Sequence, residues 1–251
     1  MYIDTHCHLE KSDYDDIDLV IKENREAGVS KIIVSGYSKE SIKEALKYAC
    51  QYSDVYLTIG YHPSEVLDVF DSDIDELEKI IKSNNKIVGI GEIGLDYHYS
   101  KDDRDKQIAL FKAQLALAEK LNLPVVIHTR DATKDTIDIL KEFNVSGVIH
   151  CFSGKLEVAE EYIKMGFFLG IGGVLTFKNS NLYKVIEKVP LDNIVLETDS
   201  PYLTPEPFRG NKNSSKYIPI IAQKIALIKN IDVNDVGSVT FSNALKIFDL
   251  K

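Results

Sequence analysis

The 251-residue chain is predicted to be an α/β protein, a (β/α)8 barrel. Three observations carry that expectation. Short apolar strands alternate with helices at a period of roughly thirty residues, the size of one βαβ unit. The length suits a closed set of eight such units, which takes ~250 residues. Ligand-type side chains recur at the C-terminal ends of the strands, where such barrels keep their chemistry. No linker or low-complexity segment interrupts residues 1–251, which read as a single domain.

The elements follow in order. Residues 2–8 open the chain as a strand. Alternation along it puts His6 and His8 on one face and turns Cys7 to the other. The acidic segment 13–18 opens a helix that stops near Gly28. Residues 31–35 form the second strand, and 38–50 a helix with Ile42, Ala45, Leu46 and Ala49 at helical spacing. The third strand, 55–59, ends in Gly60-Tyr61-His62-Pro63, and two short helical pieces follow, the second at 73–81. Strand four is 86–92, followed by the longest helix, 104–121. Pro124 opens strand five, 124–128, a position where proline is tolerated. Helix 132–143, strand 147–150, helix 156–165, strand 167–171, helix 182–188 and strand 194–197 continue the alternation. A Pro- and Gly-containing loop, 201–213, precedes closing helices at 217–229 and 233–248.

Composition narrows the classes. Hydrophobic residues are 44% and charged residues 27%, as in folded globular chains and unlike disordered ones. The net charge of -9 excludes a protein that coats nucleic acid through a global basic field. A polyanion can still bind where metals and local cations reverse the sign in a cleft. Cys7, Cys50 and Cys151 are odd in number and form no CxxC pair, which excludes a disulfide framework and points to a reducing compartment. Cys7 and Cys151 read as small buried hydrophobes, turned by strand alternation away from the adjacent histidines. With no signal-peptide pattern and no apolar run of about 18 residues, a cytoplasmic protein with no membrane contact is expected, acting as a monomer.

The polar residues that helices leave unexplained are His6, His8, His62, Glu92, His128, His150, Glu197 and Asp199, all at strand ends. A buried core histidine wants one hydrogen-bond partner. Five of the chain's six histidines at equivalent positions, with carboxylates between them, point to divalent metal instead. This donor set suits two ions: His6, His8 and Asp199 for one, His128 and His150 for the other, with Glu92 as the bridge. Two divalent ions outweigh two carboxylates by about two positive charges, which favours an anionic substrate such as a phosphodiester. His-rich ligation suits Zn or Mn, while nuclease chemistry often runs on Mg. Asp199 is the expected proton acceptor besides being a ligand. His62 either hydrogen-bonds a phosphate oxygen or leaving group or stands as a structural residue before Pro63. Arg130, on the face of His128, suits a phosphate clamp. Arg209 and Lys212, in the loop beyond strand eight, are candidate substrate contacts. Tyr202, Phe177 and Phe208 either stack a base or pack the loop. Glu197 either orients a ligand histidine or fills the barrel interior.

Asp4-Thr5-His6-Cys7-His8-Leu9, Gly60-Tyr61-His62-Pro63, Gly91-Glu92-Ile93-Gly94-Leu95-Asp96, His128-Thr129-Arg130, His150-Cys151-Phe152-Ser153-Gly154 and Glu197-Thr198-Asp199-Ser200-Pro201-Tyr202-Leu203 occur in that order. Together these motifs resemble the TatD family of metal-dependent deoxyribonucleases over nearly the whole chain. The resemblance implies a (β/α)8 metallohydrolase of the amidohydrolase-like group that cuts DNA, with 3′→5′ exonuclease activity. By motif match it puts the metals on His6, His8, Glu92, His128, His150 and Asp199. One departure stands out. Where the family pattern is an Arg-Gly-Lys-Arg-Asn-like run followed by Glu-Pro, this chain has Arg209-Gly210-Asn211-Lys212-Asn213-Ser214-Ser215. Lys212 keeps the charge and loses the planar fork of an arginine. The alternative is a metallohydrolase acting on an ester, lactone or amide, such as an aminoacyl ester. Amidohydrolase relatives often use a carbamylated Lys where Glu92 stands. The nearby Lys86 lies at the wrong end of its strand, which favours the phosphodiesterase.

Overall fold

The computed structural model describes residues 1–98 and 102–250. Strand and helix alternate along them. The chain divides into two compact units, Met1–Val34 with His150–Lys251, and Ser35–Ile149.

In the first unit β1 (Tyr2–Cys7) pairs in parallel with β2 (Val29–Gly36), whose last residues pass into the second. β7 (Phe167–Ile171) pairs in parallel with β8 (Ile194–Leu196), Leu169 opposite Ile194. β8 also lies beside β1: the Thr5 hydroxyl donates to the Leu196 carbonyl at 3.0 Å. First and last strands are thus neighbours. Helices α1 (Ile17–Glu26), α6 (Leu156–Lys164), α7 (Leu182–Lys188), α8 (Ile218–Lys229) and α9 (Val233–Phe248) belong to this unit. The acidic segment ahead of α1 does not itself turn helical until Asp16 caps it, accepting from the Leu19 N–H at 2.9 Å. α9 is tied to the start of β8 by Asn243, whose amide donates to the carbonyls of Leu191 at 3.0 Å and Ile194 at 2.8 Å.

The second unit holds β3 (Val55–Ile59), β4 (Ile87–Asp96), β5 (Val125–Arg130) and β6 (Gly147–Ile149), paired in parallel in that order. Its helices are α2 (Lys39–Gln51), α3 (Asp71–Ser83), α4 (Arg104–Leu121) and α5 (Thr133–Leu140). Leu57, Ile59, Ile90, Ile93, Phe111, Leu115 and Val125 are fully buried. These near-continuous apolar strands are those of a parallel sheet covered on both faces.

The predicted β3, α4, β7, α7 and α9 coincide with the observed ones. β4 runs four residues past the expected end at Glu92, to Asp96. The glycines there read as breakers, yet one of them makes the strand possible. Gly94, at φ 150°, passes so close to the His128 carbonyl that a Cβ would collide with it. β6 and β8 each end one residue short, so His150 lies in a turn and Glu197 and Asp199 in irregular backbone beyond their strands. No helix among the described residues is long and apolar enough to cross a membrane.

Candidate metal centre

In the first unit the end of β1, the turn after β6 and the irregular backbone after β8 bring His6, His8, His150 and Asp199 together. Asp199 Oδ1 lies 3.7 Å from His6 Nε2, 3.5 Å from His8 Nε2 and 3.9 Å from His150 Nε2. These separations are at or beyond the limit of a hydrogen bond. They match the edge of a tetrahedron around a cation, about 3.4 Å when each ligand stands ~2.1 Å from the metal. The His6 and His150 rings lie 3.8 Å apart, and His6 and His8 meet edge to face at 5.0 Å. Burial acts to raise the Asp199 pKa, and the imidazoles of His150, His8 and His6 outweigh it, leaving the carboxyl below its ordinary value. The donor types and their spacing therefore fit a divalent ion.

Two buried carboxylates build this set from behind. Asp4 accepts from the His6 N–H at 3.2 Å, the Thr198 N–H at 3.1 Å and the Thr198 hydroxyl at 2.5 Å. That grip holds the backbone next to Asp199, which sits in the left-handed region at φ 55°. Burial outweighs these hydrogen bonds and lifts the Asp4 pKa to about 7. Glu197, at 0% exposure, accepts from the Cys151 N–H at 2.6 Å and stands 3.1 Å from His150 Nδ1. Nε2 is the His150 nitrogen that faces Asp199, at 3.9 Å. Glu197 thus lies buried beside a candidate ligand histidine. Gly170 makes room for it, since a Cβ there would collide with Glu197 Oε2.

Cys151 departs from expectation. Its thiol was expected to face away from His150, but β6 stops at Ile149 and Cys151 occupies a turn at φ 47°. Its sulfur, His150 and Glu197 offer ligand atoms within 4.8 Å of one another.

In the second unit the ends of β3, β4 and β5 gather His62, Glu92, Asp96 and His128. His128 Nδ1 is 2.8 Å from Glu92 Oε1, and its Nε2 is 3.2 Å from Asp96 Oδ2. His62 Nε2 lies 3.8 Å from the same Glu92 oxygen, with the two histidine rings 4.4 Å apart. The Ser64 N–H donates to His62 Nδ1 at 3.1 Å, so the neutral ring carries its proton on Nε2. His62 is thereby set up as a donor. Asp96 is held below its ordinary pKa: burial opposes this, and the hydrogen bonds from His128 and the His98 N–H, with the charges of His128 and Arg130, prevail. Asp96 lies four residues past the strand end expected at Glu92. Its even spacing from Glu92 along one strand was the available signal.

Helix α4 positions both strand exits. Gln114 accepts from the Tyr61 N–H at 2.7 Å and donates to the Tyr61 carbonyl at 3.0 Å, one residue before His62. Two turns earlier Gln107 holds Asp96 in the same manner, at 2.9 Å in both directions.

A family model for TatD related DNases matches residues 3–249. The chain belongs to the TatD family. It is 41% identical over 253 residues to the uncharacterized metal-dependent hydrolase YabD of Bacillus subtilis, covering 99% of each chain. It is 34% identical over 245 residues to the 3′-5′ ssDNA/RNA exonuclease TatD of Erwinia tasmaniensis, covering 94% of each. The crystal structure of YjjV, a TatD homologue of Escherichia coli K12, superposes with a TM-score of 0.93 at 28% identity, covering 100% of this chain and 98% of that one. The fold of this TatD-family chain is the (β/α)8 barrel, and the protein is a hydrolytic enzyme.

The TatD-family loop after β8 carries the expected substrate residues. Arg209 lies 4.1 Å above the Phe177 ring and donates to the Thr204 carbonyl at 3.2 Å. Lys212 stands 5.5 Å from the Tyr14 ring. Phe208 stacks on Tyr217 at 5.0 Å, a packing role. Tyr202 is 59% exposed and 6.3 Å from His8, the aromatic of this loop with a face open to a base. Arg130, at the exposed end of β5, lies opposite Asp96. His150 has His6 and Asp199 beside it in its own unit.

Proposed function

We propose that this TatD-family enzyme hydrolyses phosphodiester bonds of single-stranded DNA, from 3′ ends, with divalent metal ions as cofactor. The observation that carries the reading is the three imidazole Nε2 atoms spread 3.5–3.9 Å around one carboxylate oxygen of Asp199. The Erwinia relative's activity on single strands supports the substrate class. His6, His8, His150 and Asp199 would hold one ion, and Glu92 with His128 the other. Such ions lower the pKa of bound water to ~7 and offset charge on a phosphoryl group. The protein's own groups do the rest. Asp199 accepts the proton of the attacking water. His62, a donor at Nε2, hydrogen-bonds a phosphate oxygen or the leaving oxygen. Glu197 keeps His150 in the ligating tautomer. Arg130, Arg209 and Lys212 contact phosphates, and Tyr202 stacks on the terminal base.

The test is a cleavage ladder on end-labelled single-stranded DNA, after chelation and after restoring Mg2+, Mn2+ or Zn2+. The expected result is loss with chelator, recovery with metal and products shortened stepwise from the 3′ end. Turnover of aminoacyl or lactone esters with intact DNA would replace this reading by the ester-hydrolase alternative.

A further inference from the structure

The first unit contains a groove of about 970 Å3 between the β6–α6 and β7–α7 loops. It starts at Ser153 and Gly154, directly after the turn that carries His150 and Cys151. The β6–α6 loop is tied to β7 where the Phe152 N–H donates to the Gly170 carbonyl at 2.9 Å. The floor is apolar: Leu156, Val174, Phe177, Leu182 and Val185. Lys155, Lys184 and Lys188 stand exposed on the rim, with Glu157 and Glu187 between them. Arg209, stacked on Phe177, adds a further cation at the edge. Lys155, Lys184, Lys188 and Arg209 outnumber Glu157 and Glu187 by two charges, so the edge of the groove is locally cationic.

This groove is larger than one scissile phosphate needs, at the upper end of the ~300–1,000 Å3 range of ligand pockets. On a chain of net charge -9, a polyanion needs a local cationic path to approach. Single-strand sites combine a cationic groove that follows the backbone with aromatic surface under the bases; here the lysines supply the first, and Phe177 with four aliphatic neighbours the second. An enzyme working from a 3′ end keeps all of the remaining strand on one side of the bond it cuts. The groove shares its loop with His150, which stands three residues before Ser153, and this placement suits that strand.

We propose that the groove binds the retained 5′ segment of a single-stranded DNA substrate, a few nucleotides upstream of the scissile bond. This rests on the phosphodiesterase reading above and extends it to substrate-length preference. The lysines contact phosphates, and the floor takes bases without sequence preference.

The experiment compares the wild type with a Lys155→Ala/Lys184→Ala/Lys188→Ala variant on three substrates: bis(p-nitrophenyl) phosphate, a dinucleotide and a twelve-residue oligothymidylate. Turnover of the first two is expected to be unchanged. KM for the twelve-mer should rise on the order of tenfold with kcat preserved, and the slope of log binding constant against log salt should become shallower by about 2 for three lost contacts. Fluorescence anisotropy of labelled oligothymidylate with metal chelated reads binding without turnover. Equal KM, equal salt slope and equal anisotropy in variant and wild type would overturn the groove proposal. A wild type that binds oligothymidylate through these lysines and cleaves neither phosphodiester would uphold the groove and remove the phosphodiesterase reading. A wild type that neither binds nor cleaves removes both.

Discussion

Asp4 and Thr198, 194 positions apart in the sequence, share two hydrogen bonds: one carboxylate oxygen takes the Thr198 N–H at 3.1 Å and the other its hydroxyl at 2.5 Å. With the bond from the His6 N–H, one buried side chain sets the backbone of two ligand segments. Asp4→Ala leaves those donors unpaired in the interior, at about 1–3 kcal/mol for each. The expected outcome is a lowered melting temperature and weaker metal binding, by differential scanning calorimetry and titration calorimetry. Asp4→Asn, which keeps one acceptor, should fall between. An Asp4→Ala protein with wild-type melting and metal affinity would contradict this account.

Glu197 and Gly170 form a second testable pair. Glu197→Gln retains an acceptor for the Cys151 N–H and loses the charge facing His150 Nδ1. Metal affinity should drop roughly 10–100-fold with the fold preserved, as for other residues behind ligand histidines. Gly170→Ala should reproduce that loss by pushing Glu197 aside. Metal content after dialysis reads both.

Glu92→Ala is expected to abolish hydrolysis while circular dichroism stays unchanged, because it removes the carboxylate facing His128 and leaves the backbone pairing of β4 intact. His62→Ala should lower kcat by roughly 10²-fold, the range of a lost proton donor, and leave metal content unchanged. Equal metal loss in both variants would make His62 a ligand instead of a donor.

Gln114→Leu preserves volume and strips both partners from the Tyr61 backbone. Two buried peptide groups left unsatisfied predict a loss of about 2–4 kcal/mol in urea unfolding. Activity should fall as well, through the adjacent His62.

The pH arm concerns Glu78, whose carboxylate is hydrogen-bonded by Lys120 and Lys82 and is lowered to about 2. A depressed folded-state pKa gives stability that is full above the unfolded value, near 4.3, and is lost as pH falls toward 2. The melting difference between wild type and Glu78→Gln should therefore be constant from pH 7 to about 5 and shrink below it. A difference that is flat down to pH 3 would contradict the pairing.

The strands, the long helix α4 and the ligand types at strand ends were legible in the chain because apolar periodicity and a histidine-carboxylate vocabulary are local signals. Three features were not. Glycine at position 94 reads as a breaker until the His128 carbonyl is seen against it. Gln107 and Gln114 look like ordinary helix residues, and only packing shows that each holds a strand exit. Cys151 takes a face by alternation in a strand that ends at Ile149, two residues before it.

Residue order alone thus settles the alternating α/β architecture, the family and the inventory of donor groups. Which nitrogen of His150 faces Asp199 and where Asp4 and Glu197 act were decided by tertiary contact. Periodicity records the face a side chain occupies on its own element. Hydrogen bonds between residues such as Asp4 and Thr198, far apart along the chain, leave no periodic trace.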